Sequence, residues 1–367
     1  MKELLVVIQL VRRGGVELAA INFAKNLDKE KFRVTFLLLN PYEEQDEELL
    51  CELKEQDFNI IYAPENIGGY AAKYKYLCSV FKNNHFDIVH SHVILTSGFV
   101  LAAARKYGVP VRAAHSHTTK WNHDENVKYK LYKAVMRFLI NKNATLKLAC
   151  STASGEWLYG KKAYQKDGVF IANGVDTDKF SFNSDERRRI RDEFSLGDCF
   201  VVGHVGSVIP LKNQVFLVGV FAELLKLRPD ARLVLAGEKF DAEPVEKKAT
   251  ELGVADKVIF TGSRSDISAF YSAFDVMCFP SLHEAFPVAL IEAQAAKLPC
   301  LISDRVTKEV KVNANVEYMP LEDASEKWAQ KLIELSSLPR QDVDIAKLIC
   351  EFDIKSVSAQ LGELFFK

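Results

Sequence analysis

The segment Val276-Met-Cys-Phe-Pro-Ser-Leu-His-Glu-Ala-Phe-Pro-Val-Ala-Leu-Ile-Glu292 decides the fold of this chain. It begins with an apolar run typical of a buried strand, passes through a short loop, and continues into residues that favour a helix. The same order of strand, loop and helix recurs along the chain. Because apolar strands that alternate with helices occur in parallel sheets covered on both faces, the sequence predicts an α/β fold.

The apolar runs fall into two series, and this predicts two domains. Those of the first series are Leu4–Ile8, Val34–Leu39, Ile60–Ile61, Ile88–Val89, Val111–Ala114 and Leu146–Ala149. Those of the second, after a break at Ile171–Asn183, are Val201–Val205, Leu233–Ala236, Val258–Phe260, Val276–Phe279 and Cys300–Ile302. We predict two facing, doubly wound, Rossmann-like domains with a cleft between them, over residues 1–172 and 173–350. The remaining residues, 351–367, are expected to form a helix that packs back on the N-terminal domain.

Composition excludes several classes of protein. The 367 residues are 48% hydrophobic with a net charge of −1, which is typical of a globular protein and argues against nucleic-acid binding. We identify no apolar run long enough to span a bilayer and no secretory leader. The seven cysteines are scattered without C-x-x-C spacing, which favours small buried residues in a reducing compartment. We therefore expect a cytoplasmic protein.

Charge is distributed unevenly along the chain. Residues 1–170 carry about +6 and the remainder about −7, with most of the basic excess between Arg105 and Lys166. Such an excess indicates either a solvated face or a surface for an anionic partner such as a lipid leaflet. The basic and aromatic stretch Lys120–Lys147 is our candidate for peripheral contact with the inner face of the cell membrane.

The loop and helix after Val276–Phe279 carry two carboxylates. Pro287 fits the first helical position, Glu284 precedes it in the loop, and Glu292 lies on the helix. The amino end of a helix suits a diphosphate, and carboxylates accept hydrogen bonds from sugar hydroxyls. The alternative is two solvated glutamates on a surface helix.

This segment resembles the Glu-x7-Glu signature of retaining glycosyltransferases of the GT-B fold, family 4. It is similar above all to the branch that builds bacterial capsules and exopolysaccharides, and the likeness covers nearly the whole chain. The resemblance implies transfer from a nucleotide diphosphate-sugar, expected to be a UDP-sugar, to a glycan or lipid-linked saccharide, without a metal or other cofactor. It also implies that Glu284 contacts the donor sugar and Glu292 the ribose. The residues expected to face the diphosphate and sugar are Phe286, Pro287, Val288 and Ala289.

The segment Gly206-Ser-Val-Ile-Pro-Leu-Lys-Asn213 predicts a second donor contact. A glycine turn followed by Lys212 at a helix start is a reasonable phosphate cradle. The family usually has arginine directly after this glycine, whereas Ser207 stands here. Loss of one cation that meets a diphosphate costs about 1.5–3 kcal/mol of binding. The alternative for Lys212 is an ordinary exposed lysine.

Two further loops are predicted to contact the donor. Gly14 and Gly15 follow the first strand, and the resemblance implies that their loop lies over the donor phosphates. The alternative is a plain turn between strand and helix. Arg264 follows a later strand, and we predict that it contacts the base.

Four histidines end two neighbouring strands, as His90-Ser-His92 and His115-Ser-His117. The resemblance implies that His115 or His117 contacts the acceptor or the sugar, so we predict both as catalytic together with the residues Lys212 and Glu284. His92, Thr118 and Lys120 are assigned to the acceptor side. The alternatives are buried, hydrogen-bonded histidines and a metal site. We predict no metal, because no carboxylate or cysteine joins the histidines at ligand spacing.

Two other functions compete with glycosyl transfer. A non-catalytic companion subunit that binds a nucleotide-sugar would fit the replacement at Ser207. A sugar-nucleotide epimerase would share the fold and act on the donor without an acceptor.

Overall fold

The structure is a computed structural model that describes residues 1–12, 14–41, 45–65, 67–119, 126–340 and 343–367. It divides into two compact units. The N-terminal unit comprises Met1–Gly174 and Ile354–Lys367, and the C-terminal unit comprises Val175–Asp353.

The N-terminal unit is built on a parallel sheet with the strand order β3-β2-β1-β4-β5-β6-β7. Leu4 to Ile8 are buried, as expected of a central strand that is covered on both faces. The strands are β1 (Lys2–Ile8), β2 (Phe32–Leu38), β3 (Asn59–Tyr62), β4 (Ile88–Ser91), β5 (Val111–Ser116), β6 (Leu146–Ala149) and β7 (Gly168–Phe170).

The C-terminal unit is built on a second parallel sheet, with the order β10-β9-β8-β11-β12-β13. Its strands are β8 (Val201–Val205), β9 (Arg232–Ala236), β10 (Val258–Gly262), β11 (Val276–Phe279), β12 (Cys300–Ser303) and β13 (Val316–Met319). This is the order of dinucleotide-binding folds, in which ligands bind where the direction of strand order reverses. The reversal lies between β8 and β11, and between β1 and β4 in the first sheet.

Helices connect the strands in both units. They are α1 (Gly15–Asn26), α2 (Glu47–Glu55), α3 (Tyr70–Asn83), α4 (Ser97–Lys106), α5 (Val127–Asn143), α6 (Thr152–Tyr159), α7 (Lys161–Asp167), α8 (Ser184–Glu193), α9 (Gln214–Leu227), α10 (Glu243–Glu251), α11 (Ile267–Ala273), α12 (Val288–Ala295), α13 (Ser325–Ser336), α14 (Ala346–Phe352) and α15 (Ile354–Leu364). The terminal helix α15 packs on α1. None of the helices in the described ranges combines the length and apolar content needed to cross a bilayer.

The predicted fold of two parallel α/β domains is confirmed. Two short strands, β7 and β13, were not predicted. Each lies at an edge of its sheet and is partly exposed, so its sequence lacks the continuous apolar run by which a central strand is recognised. The expectation of uniformly buried cysteines is wrong for Cys51 and Cys350, which are exposed.

Candidate active site

The reversal point of the C-terminal sheet places two predicted loops side by side. Strand β11 pairs with β8, so the loops that follow these strands leave the same edge of the sheet. Two hydrogen bonds join the loops directly. Leu282 N donates to Leu211 O at 2.9 Å, and Asn213 Nδ2 donates to Pro280 O at 3.2 Å. The positions of the residues beside these contacts are therefore coupled.

The coupled loops bring Lys212 and Glu284 together. Lys212 Nζ lies 2.6 Å from Glu284 Oε1, and both side chains are mostly buried, with 17% and 13% of their surfaces exposed. The ammonium group also lies 4.8 Å from the centroid of the Phe279 ring. A cation and a carboxylate at this point can bind a phosphate and a hydroxyl, respectively.

Two glycines allow the close approach of backbone around this pair. Gly206 has a φ of +146°, and a β-carbon there would lie 3.3 Å from Lys212 Cε. Gly237 follows β9 with a φ of +154°, and a β-carbon there would lie 2.2 Å from the carbonyl oxygen of Gly206. A side chain at Gly237 would therefore displace the loop that carries Lys212, and one at Gly206 would crowd the end of the lysine side chain.

A buried polar pair that the sequence analysis missed supports this loop. His204 Nδ1 lies 3.0 Å from the carbonyl oxygen of Cys278, and Gln214 Nε2 donates to Ser207 O at 3.0 Å. Burial lowers the pKa of His204 to about 4, and the charge of Lys212 acts in the same direction. The ring is therefore neutral near pH 7 and can donate one hydrogen bond to the carbonyl group. The histidine within the otherwise apolar strand β8 is the feature of the sequence from which this buried contact could have been predicted.

Helix α12 begins one residue later than predicted. Pro287 is the N-cap residue and Val288 the first helical residue. Proline offers no capping side chain, so the first amides of the helix have no side-chain cap. Phe286 anchors the preceding loop, since its buried ring stacks on Phe352 at 5.8 Å between centroids. The backbone at Val288 and Ala289 can therefore meet an anion, as at other helix amino ends.

Glu292 occupies a different environment from Glu284. Tyr271 in α11 donates a hydrogen bond of 2.6 Å from its hydroxyl group to Glu292 Oε2. Burial raises the pKa of Glu292 to about 7, against the opposing effects of Tyr271 and Lys179. The carboxyl group is thus bound by a protein hydroxyl, the same kind of donor that a ribose would supply.

Arg264 is held in place by ion pairs with two carboxylates. It forms a two-bond pair with Asp266, at 2.9 and 3.0 Å, and a further ion pair of 2.9 Å with Glu193. Its guanidinium group also lies against the rings of Phe194 and Phe270. These contacts tie α8 to the loop before α11, and the contact of Arg264 with the base stays a prediction.

The glycine loop of the N-terminal unit encloses a carboxylate. Gly14 caps α1, and a β-carbon there would lie 2.5 Å from Glu17 Oε2, whereas Gly15 has open space around it. Glu17 is buried in the first helical turn and pairs with Arg12 at 3.3 Å. A negative charge already occupies the amino end of α1, where the resemblance implied a donor phosphate.

The four histidines form one buried cluster. Alternate residues of a strand point to one face, so His90, His92, His115 and His117 project together from β4 and β5. Phe23 of α1 covers them, with its ring centroid 5.6 Å from that of His115 and 6.4 Å from those of His90 and His92. Burial lowers the pKa of His90 to about 3 and that of His117 to about 4, and lowers those of the other two well below 6.5.

His115, whose substrate role stays a prediction, is fully enclosed in the fold. Its side chain has no exposed surface and packs under Phe23. His92, in contrast, lines an open cavity of the N-terminal unit. Thr118 is partly exposed just beyond β5. Lys120, also predicted on the acceptor side, lies outside the described residues.

Three of these histidines have the spacing of metal ligands, which was one of the alternatives for the cluster. Nitrogen atoms of His90, His92 and His115 all lie within 4.8 Å of one another. Within the described ranges, this is the cluster whose geometry would let it hold a metal ion. Neutral imidazoles suit zinc and similar ions. The prediction that the protein binds no metal stays a prediction.

Comparison with known proteins agrees with this geometry. The family model for glycosyl transferases group 1 matches residues 186–347, and that for glycosyltransferase family 4 matches residues 13–179. EpsF of Bacillus subtilis, named as a glycosyltransferase, is 32% identical over 371 residues, which cover 98% of this chain and 92% of EpsF. The UDP-Gal:alpha-D-GlcNAc-diphosphoundecaprenol alpha-1,3-galactosyltransferase of Escherichia coli is 31% identical over 245 residues, 62% of this chain and 60% of that protein.

A solved structure shares the fold. HepE of Anabaena, crystallised in complex with UDP, aligns with a TM-score of 0.81 over 100% of both chains at 20% identity. At this identity the likeness concerns the fold alone. The relationship to EpsF extends over almost the full length of both chains, and the two family models together account for most of this one. The chain therefore belongs to the group 1 and family 4 glycosyltransferases, enzymes of the GT-B fold.

Proposed function

We propose that this enzyme transfers a sugar from a UDP-sugar to a lipid-linked saccharide in the synthesis of a bacterial surface polysaccharide, with retention of configuration. The observation that carries the proposal is the contact of 2.6 Å between Lys212 and Glu284 at the reversal point of the C-terminal sheet. Open parallel sheets bind ligands beyond the carboxyl ends of their strands, at this point of the strand order.

The donor diphosphate binds to Lys212 and to the amino end of α12. The lysine supplies a full positive charge, and the first amides of the helix supply oriented dipoles. These groups offset the charge that develops on the departing diphosphate, so that no metal ion is needed. Glu284 then accepts hydrogen bonds from hydroxyl groups of the donor sugar, and Glu292 accepts them from the ribose.

The choice of UDP rests on two related proteins. HepE, with the same fold, was crystallised with UDP, and the name of the Escherichia coli relative specifies UDP-Gal as donor. That name also specifies a diphosphoundecaprenol-linked acceptor, which supports a lipid-linked saccharide for this enzyme.

In the proposed reaction, an acceptor hydroxyl oxygen bonds to the anomeric carbon while the bond from that carbon to the diphosphate oxygen breaks. The diphosphate leaves with the electron pair and takes up the hydroxyl proton on the same face of the sugar. Glu284 and Glu292 do not act as the acid and nucleophile of a glycosidase. Lys212 pairs with the first, and Tyr271 donates to the second.

The proposal includes contact of the protein with the inner face of the cell membrane, made by helix α5. Val127, Leu131, Val135 and Phe138 are spaced along one face of the helix, and all four are exposed, Val127 by 81% and Phe138 by 62%. The helix contains five basic and no acidic residues. An apolar stripe with basic flanks suits the headgroup region of an anionic leaflet. Tyr129 and Tyr132, two aromatic residues of the predicted contact stretch, pack against the core instead.

Vesicle flotation tests the membrane contact. The protein is expected to float with vesicles that contain phosphatidylglycerol and to stay behind with neutral phosphatidylcholine vesicles. The double variant Leu131→Gln/Phe138→Gln is expected to lose flotation. Phe240→Gln, which changes an exposed phenylalanine in the C-terminal unit, is the matched control and is expected to float. Equal flotation of all three proteins would exclude α5 as the contact.

A panel of UDP-sugars with an undecaprenyl-diphosphate-linked saccharide tests the transfer itself. We expect turnover of one donor into a longer lipid-linked product with the same anomeric configuration. UDP binding without turnover would favour a non-catalytic companion subunit, and conversion of the donor without acceptor would favour an epimerase.

A further inference from the structure

Tyr271 binds one oxygen of Glu292 and leaves the other accessible. Its hydroxyl group donates a hydrogen bond of 2.6 Å to Glu292 Oε2, which joins α11 to α12. Glu292 Oε1 has no hydrogen-bond partner among the described residues and keeps some accessible surface. The carboxyl group is therefore fixed at one oxygen and can accept hydrogen bonds from a ligand at the other.

The phenol ring that donates this hydrogen bond is itself firmly held. Tyr271 has no exposed surface, and its ring meets that of Phe180 edge-on, with 5.8 Å between the centroids. The guanidinium group of Arg340 donates to the carbonyl oxygen of Tyr271 at 3.1 Å. A hydroxyl group on a ring packed in this way has a defined position, so it can set the orientation of the carboxyl group that accepts from it.

The surroundings of Glu292 disfavour its charge, and Tyr271 opposes this effect. Burial raises the pKa of Glu292 to about 7, whereas the hydrogen bond from Tyr271 and the charge of Lys179 lower it. Burial and the neighbouring carboxylate raise the pKa of Tyr271 well above 10, so the phenol keeps its proton and donates. Of the other elements that pack on α12, β12 places the neutral thiol group of Cys300 near the phenol, and α14 contributes the apolar ring of Phe352.

We propose that Tyr271 is a positioning residue for donor recognition: its hydroxyl group fixes Glu292 Oε2 and favours the ionised carboxylate, so that Oε1 accepts hydrogen bonds from the ribose hydroxyl groups. The inference rests on the proposed function, in which Glu292 binds the ribose, and adds the residue that prepares this glutamate. An ionised acceptor forms stronger hydrogen bonds with hydroxyl groups than a neutral one does. Tyr271 acts on the nucleotide only through Glu292.

A pair of nucleotides isolates the contribution of the ribose. UDP and 2′,3′-dideoxyuridine diphosphate carry the same base and the same diphosphate, so the ratio of their affinities reports the ribose hydroxyl groups alone. Titration calorimetry of the full chain measures both affinities at pH 6, 7 and 8. We expect the wild-type protein to prefer UDP, and we expect this preference to grow about tenfold between pH 6 and pH 8, because Glu292 loses its proton near pH 7.

Tyr271→Phe removes the hydroxyl group and keeps the ring. We expect its preference for UDP to fall severalfold at pH 7 and to level off at a higher pH than in the wild type, because the pKa of Glu292 rises without this hydrogen bond. Tyr318→Phe is the matched control, since it removes a phenol hydroxyl group of the same unit that donates to Thr307 O at 2.6 Å. We expect it to keep the wild-type preference at each pH.

The ratio of affinities separates positioning from a purely structural role. If Tyr271 only supported the fold, Tyr271→Phe would weaken both nucleotides equally, and an unchanged preference would overturn the inference. Wild-type protein that binds neither nucleotide would overturn the proposed function instead. Should Tyr271→Phe fail to fold, Glu292→Gln provides the second test. We expect it to abolish the pH dependence of the preference, and a pH dependence that survives would overturn the inference.

Discussion

Lys212 Nζ lies 2.6 Å from Glu284 Oε1, although 72 positions separate the two residues in the chain. The pairing of β8 with β11 and the backbone hydrogen bond from Leu282 to Leu211 bring them together. The site is therefore neutralised before a donor binds. In the proposed mechanism, a diphosphate competes with Glu284 for the lysine, and the displaced glutamate becomes available to sugar hydroxyls.

Replacement of Lys212 by Met is expected to weaken UDP binding by about 1.5–3 kcal/mol and to abolish turnover, because the diphosphate loses its one full positive partner in the proposed site. Titration calorimetry with UDP measures the loss. Lys226→Met removes an exposed lysine of α9 that pairs with Glu223 and is expected to bind as the wild type does. Equal affinity in both variants would contradict the assigned role of Lys212.

Replacement of Glu284 by Gln is expected to have opposite effects on UDP binding and on turnover. Without the carboxylate, Lys212 is released from its ion pair and the diphosphate meets less repulsion, so UDP affinity rises severalfold. Turnover falls, since the donor sugar loses an ionised acceptor for its hydroxyl groups. Calorimetry and a transfer assay on the same preparation check both effects. A parallel loss of UDP binding would show that Glu284 holds the loop rather than the sugar.

Replacement of Ser207 by Arg restores the cation that the family usually carries after Gly206. We expect UDP to bind about tenfold more tightly at low salt, and we expect this gain to shrink as salt screens the added charge. Ser207→Ala, which removes only the hydroxyl group, is the control and is expected to bind as the wild type does. An unchanged affinity in Ser207→Arg would indicate that this position points away from the diphosphate.

The raised pKa of Glu292 predicts a dependence of stability on pH. Its pKa is about 7 in the folded chain against 4.5 for an unperturbed glutamate, so the folded state holds the proton more tightly. The resulting stabilisation is fully present below pH 4.5 and is lost as the pH rises through 7. Relative to Glu292→Gln, the wild-type free energy of unfolding should fall by about 2 kcal/mol between pH 5 and pH 8. Urea titrations of both proteins at the two pH values measure this fall. An equal change in the free energy of unfolding of the two proteins would contradict the raised pKa of Glu292.

Removal of metal ions is expected to leave transfer unchanged, because Lys212 and the amino end of α12 supply the positive charge in the proposed mechanism. The assay compares protein dialysed against EDTA with the same protein supplied with magnesium or zinc. Activity that disappears on dialysis and returns with one of these ions would replace the proposed lysine mechanism with a metal-assisted one.

The loops that hold the candidate site were predictable from the chain, whereas their contacts were not. Gly206, Lys212 and Glu284 each follow an apolar strand, and parallel strands deliver the loops after them to one edge of the sheet. Arg264 pairs with Asp266, two residues away in the same loop, and with Glu193, which is 71 positions away in the chain. The ion pair with Glu193 could not be predicted, because only packing brings these two side chains within bonding distance.

By itself, the sequence determined the alternation of strands and helices, the two parallel sheets and the family, because hydrophobic periodicity and loop motifs are local properties of the chain. Tertiary structure alone decided which side chains meet. Lys212 pairs with Glu284, and Tyr271 donates a hydrogen bond to Glu292. His115 is enclosed, whereas His92 lines a cavity. These outcomes depend on the register of neighbouring strands and on which helix covers them. Both are set by the summed packing energy of residues far apart in the chain, which no short stretch of sequence contains.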